Sequence, residues 1–191
     1  VMDFRRASIN GIRYGAGLTS VSRAKFALEK IEIPSTMMRE EYLAQKNASK
    51  HVAFHCPNYE REMGSRGTQR NHILNFFRAL SLCHDAEVAS VAEKTVSGKV
   101  VSATVDTLSA MNADDEALIH AADHFGFRFL GREDQKVRIL NKVSDKVEEI
   151  DILQNFSFSS RSQRMGVVIR EPNGRVVLLM KGAETAILPL L

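Results

Sequence analysis

Three short stretches of this chain carry side chains that can act together on a ligand. The first is the acidic run Asp114-Asp115-Glu116, the second is Phe158 within Phe158-Ser159-Ser160-Arg161, and the third is Lys181-Gly182-Ala183. A flat aromatic ring, a cation and a carboxylate are the parts needed to hold a purine nucleotide: ring on ring, cation near phosphate or base, carboxylate accepting from an exocyclic amine. Each stretch also has a plain structural explanation. Acidic residues suit a helix N-terminus through the macrodipole, a strand phenylalanine usually fills a core, and a lysine before glycine is usually solvated. Other chemistry is excluded more sharply. Neither G-x-x-x-x-G-K-[ST] nor G-x-G-x-x-G occurs, which removes the phosphate loop and the dinucleotide turn, and G-x-S-x-G and H-E-x-x-H are absent too.

Histidine and cysteine offer a metal reading that fails on spacing. His51, His55 and Cys56 are followed far down the chain by Cys83-His84, and this order matches no zinc pattern in which paired ligands approach one metal from a turn. The expectation is therefore no metal site, a buried Cys83 on a helix, and histidines facing solvent. Two cysteines also make no disulfide framework, which fits a reducing, cytosolic compartment.

The elements that must position the three stretches are legible from pattern. Residues 7–9 and 12–14 flank Asn10-Gly11, whose readiness for positive φ suits a two-residue hairpin turn. Short helices are expected over 21–29 and 36–47, and the Gly-, Pro- and charge-rich residues 51–71 read as a surface loop. Ile73, Phe76, Phe77, Leu80 and Cys83 recur at three- and four-residue spacing, predicting a core-packed helix over 71–84. Residues 86–94 are ambiguous between helix and strand, and 100–108 read as a strand. Asn112 then stands as an N-cap, with Asp115 three residues on, where its carboxylate could reach back as in a capping box. The helix that follows stops at Gly126. Beyond it the chain is β-rich: 127–129, 137–142, 147–158, 165–170 and 175–180 alternate or run β-branched. Pro172-Asn173-Gly174 marks a tight turn, and a short helix is expected over 184–188. The assignment is one α+β domain, an antiparallel β-sheet flanked by helices, spanning 1–191.

Composition sets the outer limits. With 191 residues, 44% hydrophobic and 26% charged, the chain can bury a core and is not largely disordered. No run approaches the 18 apolar residues of a membrane span. A net charge of +3, from 26 Lys+Arg against 23 Asp+Glu, calls for no nucleic-acid partner. A start at Val1-Met2 reads as a fragment of a longer chain.

Four ordered segments resemble a known family. They are Phe76-Phe77-Arg78-Ala79-Leu80-Ser81-Leu82-Cys83-His84; 114–118 with Gly126-Phe127-Arg128-Phe129-Leu130-Gly131-Arg132; 158–170 with Arg164-Met165-Gly166-Val167-Val168; and Lys181-Gly182-Ala183-Glu184. In this order they are similar to the nucleotide-binding domain of type IV P-type ATPases, the phospholipid flippases. Val1-Met2-Asp3-Phe4-Arg5-Arg6 also looks like the stretch just after that family's phosphorylation motif D-K-T-G-T-L-T. The resemblance is weakest over 15–68 and 89–101.

The resemblance implies that Phe158 stacks on adenine, that Lys181 lies in the nucleotide pocket, and that Gly182 lets the backbone approach the ligand without a clashing Cβ. Arg164 and Met165 become pocket wall or sheet core, on opposite faces of one strand. The family's Ser-Pro-Asp-Glu before Ala-Ala-Leu is replaced by Ala113-Asp114-Asp115-Glu116-Ala117-Leu118. That leaves Asp115 or, with a shift of one residue, Glu116 as the adenine contact. The implied cofactors are ATP and Mg2+. The implied partners are the phosphorylation and actuator domains of the same parent chain, with an accessory subunit in the membrane. Residues 1–14 and 181–191 would lie near the hinge, and the domain would sit on the cytoplasmic side of a membrane. A chain lacking the nucleophilic aspartate would bind ATP weakly, at sub-millimolar to millimolar concentration, and not hydrolyse it. The alternatives are a non-transporting regulatory module, the corresponding domain of a cation pump, and an interaction protein using the basic loop 61–70.

Overall fold

The computed structural model describes residues 2–92, 104–110 and 112–191. The chain divides into two compact units, Val1–Phe77 and Arg78–Leu191. Helix α4 (Thr68–Leu82) contributes residues to both. Among the described residues no helix is long and apolar enough to cross a membrane.

In the first unit, strands β1 (Ala7–Ile9) and β2 (Ile12–Tyr14) pair antiparallel with Ile9 opposite Ile12. Asn10 and Gly11 between them both take positive φ, at 50° and 76°, as the hairpin turn requires. Helix α1 (Ser20–Glu29) opens on a reciprocal cap between Thr19 and Ser22. Helix α2 (Ser35–Lys46) carries Glu41 inward, where Arg5 Nη1 donates to both carboxylate oxygens at 2.9 Å. Burial pushes the Glu41 pKa up, but hydrogen bonds from Arg5, Gln45 and the Leu18 N–H outweigh it and hold the carboxyl below its usual range.

The expected loop over 51–71 is not a loop. It contains helix α3 (Pro57–Gly64) and the start of α4, and Val52, Ala53 and Phe54 are buried ahead of them. Pro57 stands in the first turn, where its missing N–H costs no hydrogen bond. Tyr59 anchors the helix, with its ring edge-on to Phe54 at 5.5 Å and to Phe77 at 6.4 Å. One half-buried aromatic and Met63 on an eight-residue helix make too short an apolar stripe to read.

The second unit is built on one five-stranded antiparallel sheet in the order β5-β6-β7-β8-β9. Its strands are β5 (Phe127–Glu133), β6 (Lys136–Asn141), β7 (Lys146–Ser159), β8 (Arg164–Arg170) and β9 (Val176–Gly182). Strands β3 (Glu87–Ala92) and β4 (Thr104–Ser109) form a separate antiparallel pair. The ambiguous 86–94 is therefore strand as far as 92, and the rest, like 100–103, lies outside the described residues. Helix α5 (Ala113–His124) packs against β5 and stops where Gly126 takes φ +111°. A short α6 (Glu184–Ile187) follows β9.

One face of the sheet holds the core: Phe127 and Phe129, Val137 and Ile139, Ile150 and Ile152, then Met165, Val167 and Ile169 are all buried. On the other face, Phe156, Val176, Leu178 and Met180 remain exposed. Arg78 on α4 ties the strands together. Its Nε donates to Glu148 of β7 at 2.9 Å, while Nη1 and Nη2 donate to Glu171, just after β8, at 2.8 and 3.1 Å.

Candidate functional site

The site is assembled around the far ends of β7 and β9 and the first turn of α5. Strand β7 would send Phe156 and Phe158 to the same face if it alternated strictly. Phe156 pairs with Gly166, yet Ser159 pairs with Arg164, and the register shift between them re-aims the strand. Phe158 consequently joins Met165 and Lys181 in the wall of a cavity of about 530 Å3. The residue is 55% exposed, so it is a cavity wall and not a core residue.

Helix α5 brings the carboxylate. Asn112 caps it by accepting from the Asp115 N–H at 2.7 Å, as the sequence indicates. The Asp115 side chain does not complete a capping box, however. It is buried, and its Oδ1 accepts from Lys181 Nζ, which draws it across to β9. A full cation available to the carboxylate is a stronger partner than a backbone N–H at the cap.

Of the six residues singled out in the sequence, Phe158, Asp115, Lys181 and Gly182 line this one cavity. Glu116 and Arg164 do not. Glu116 faces along α5, with an oxygen 3.9 Å from His120 Nε2, and Arg164 Nη1 donates to the Ala186 carbonyl at 3.4 Å. The adjacent Met165 is buried and does line the cavity, so β8 turns its two candidates to opposite faces.

Packing alone requires a glycine at 182. A Cβ there would lie 2.5 Å from the Gln163 carbonyl oxygen and 2.7 Å from Arg164 Cβ, so the glycine allows β9 to close against the turn after β7. Gln163 itself takes φ +50° and its carbonyl accepts from the Ala183 N–H at 2.9 Å. Asn112, Leu118 and Gln163 also line the cavity and were not singled out beforehand as ligand contacts, while Asp114 and Ala183 complete the lining. Asn112 carried a signal only as a cap, and Gln163 carried none.

Cys83 and His84 follow directly after α4, so Cys83 lies just beyond the helix on which it was expected. Burial pushes the Cys83 thiol up to about 11 and keeps it protonated, and its Sγ–H points to the Leu179 carbonyl of β9 at 3.7 Å. His84 is fully buried, which corrects the expectation that the histidines face solvent. Its Nδ1 accepts from the Ala86 N–H at 3.2 Å, and its ring meets Phe129 edge-on at 4.4 Å.

Burial lowers the His84 pKa to about 3, and the charge of Arg132 acts in the same direction. The unfolded imidazole titrates near 6.5, so the unfolded chain takes up a proton that the fold refuses. Stability is thus full above about pH 6.5 and is lost as the pH falls from there toward 3. Between pH 6.5 and 5 the loss is about 2 kcal/mol, at about 1.4 kcal/mol per unit. Urea midpoints measured from pH 7 down to 5 should fall accordingly, and His84→Gln should flatten the slope. An equal slope in the variant would assign the acid sensitivity to other groups.

The arrangement offers a mostly apolar wall (Phe158, Met165, Leu118) with the carboxylates of Asp114 and Asp115 and one ammonium, that of Lys181, at its edge. Apolar pockets of this size with a few convergent polar groups bind planar organic ligands. Comparison with known proteins bears on which. Residues 72–190 match the family model described as P-type ATPase, cytoplasmic domain N. The chain is 29% identical over 194 residues to phospholipid-transporting ATPase IC of Xenopus tropicalis, covering 98% of this chain and 13% of that protein. It is 32% identical over 190 residues to phospholipid-transporting ATPase 10 of Arabidopsis thaliana, covering 96% and 15% respectively. To phospholipid-transporting ATPase 11C of Mus musculus it is 35% identical over 120 residues, covering 63% and 10%. The chain therefore spans 10–15% of the length of these relatives.

Proposed function

Because the chain belongs to the P-type ATPase family as its cytoplasmic domain N, we propose that it seats ATP for a phospholipid-transporting pump of the type IV class. In this reading the adenine lies on Phe158, with Met165 and Leu118 forming the rest of its apolar bed. Asp115 accepts from the exocyclic amine and Lys181 meets the base edge or the phosphates. The observation that carries the proposal is the convergence of Phe158, Asp115 and Lys181 on one cavity from three separate elements. Stacking and one charged contact on each side of a base suffice for a modest affinity.

The chain's own task is positioning. It contains no D-K-T-G-T segment, so the γ-phosphate must be passed to an aspartate on a phosphorylation domain of the same parent. In-line placement dominates the rate of such transfers. Mg2+ accompanies the triphosphate and neutralises its charge. An actuator domain and an accessory membrane subunit complete the assembly in this reading, with residues 1–14 and 181–191 toward the hinge. Both compact units are taken as one nucleotide-binding domain, because the matches to the frog and plant relatives run over 98% and 96% of the chain. The relatives' phospholipid-transporting names favour a lipid pump over the cation-pump alternative.

Titration of the isotope-labelled chain with MgATP tests the site. Amide shifts should concentrate at Phe158, Lys181, Gly182 and Asp115, saturating at sub-millimolar to millimolar nucleotide. Shifts confined to residues 51–70, or none at saturation, would overturn the assignment.

A further inference from the structure

The space around Asp115 does not end with the base cavity. A second cavity, of about 990 Å3, lies in the same unit, and Asn112, Asp115 and Phe158 line both. Asp115 therefore stands at the boundary between them. Its Oδ1 is held by Lys181 Nζ, which leaves Oδ2 for a ligand.

The chemistry changes across that boundary. The first cavity is walled mainly by Phe158, Met165 and Leu118. The second is bordered by Leu130 and by the carboxylates of Asp85, Glu87 and Asp134, with Arg132 as the one cation among its described lining residues. Arg132 Nη2 donates to the His84 carbonyl at 2.8 Å, and its single positive charge is outnumbered by the carboxylates. Asp85 is steadied by Asn155 Nδ2 at 2.8 Å, while Glu87 and Asp134 are exposed at the rim. The balance of its described lining is negative, so that lining repels phosphate and attracts an ammonium group.

A base seated on Phe158 with its exocyclic amine toward Asp115 points that amine at the boundary. Replacing one amine hydrogen by an alkyl arm leaves the other to donate to Oδ2, and the arm then departs into the second cavity. We propose that this cavity is a second subsite, which accepts a cationic group carried on the exocyclic nitrogen of an adenine nucleotide. The inference rests on the base placement proposed above and adds a ligand class to it: N6-substituted adenine nucleotides ending in an amine.

The test uses the whole chain and competition binding of three nucleotides: ATP, N6-(6-aminohexyl)-ATP, and an ATP carrying the same aminohexyl arm on C8. The N6 derivative should bind within about threefold of ATP or more tightly, whereas the C8 derivative, whose arm leaves from the other side of the base, should lose about tenfold or more. The double variant Glu87→Gln, Asp134→Asn should weaken the N6 derivative by about threefold or more without changing ATP. Loss of about tenfold or more for the N6 derivative, with ATP still shifting Phe158, overturns the second subsite alone. Failure of ATP itself to perturb Phe158 overturns the base placement and the subsite with it.

Discussion

Phe158→Ala should raise the dissociation constant for ATP about 10- to 100-fold, the equivalent of about 1–3 kcal/mol of lost stacking. The residue is more than half exposed, so little packing is lost with the ring and the variant should melt close to the parent. This separation is what makes the substitution informative. Phe158→Trp should retain most of the affinity, because a larger flat face replaces a smaller one. Fluorescence competition or amide shifts under MgATP would read both variants. An alanine variant that binds ATP as well as the parent does would remove the base from this cavity, whatever the family resemblance implies.

The second large effect concerns the frame. Arg78→Met should destabilise the chain by about 3 kcal/mol, because it leaves the Glu148 and Glu171 carboxylates without the guanidinium that pairs with both. All three side chains are largely shielded from water, with exposures of 17%, 21% and 16%. Burial alone would lower the Arg78 pKa, yet Glu171 and Glu148 more than reverse it, so the cation is held firmly. Arg78→Lys should recover only part of the loss, since a point charge cannot fork to two carboxylates. Converting Glu148 and Glu171 to Gln alongside Arg78→Met should restore stability, because the unpaired charges disappear. Urea unfolding resolves these outcomes. A loss of under about 1 kcal/mol in the single variant would mean that the cluster is no stronger than a surface pair.

What could be read in the sequence divides by range. The hairpin at Asn10-Gly11, the cap at Asn112 and the stop at Gly126 depend on residues a few positions apart, and all three appear where pattern placed them. The sheet followed from alternation over 137–180, and the chain is α+β with an antiparallel sheet and helices, as expected. Helix α3 was missed because only Tyr59 and Met63 mark its inner side and most of its other residues are polar. The site was legible as a set of residue types but not as a geometry. Asp115 and Lys181 are 66 residues apart, and their contact depends on how α5 lies along β5 and on the pairing of β8 with β9. Glu116 and Arg164 had equally suitable chemistry. Only the helix phase and the strand face separate them from Asp115 and Met165.

The register shift in β7 has a hereditary consequence. Phe158 reaches the cavity because two residues lie between Phe156 and Ser159 where the partner strand has only one between Gly166 and Arg164. Ligand access at this point is thus encoded by a count as well as by an identity. Deleting Ser157 would return the strand to plain alternation with Phe158 directly after Phe156 and still on the cavity face, whereas deleting Phe158 would put Ser157 there, and in both cases every hydrophobic position of the sheet would keep its place. A descendant could in this way lose the base platform through a single three-nucleotide deletion, yet keep its fold, the neighbouring Phe156 and its resemblance to its relatives. Which residue occupies the step before Ser159, compared between paralogues, is therefore a sharper marker of a working pocket than the presence of an aromatic residue in this segment.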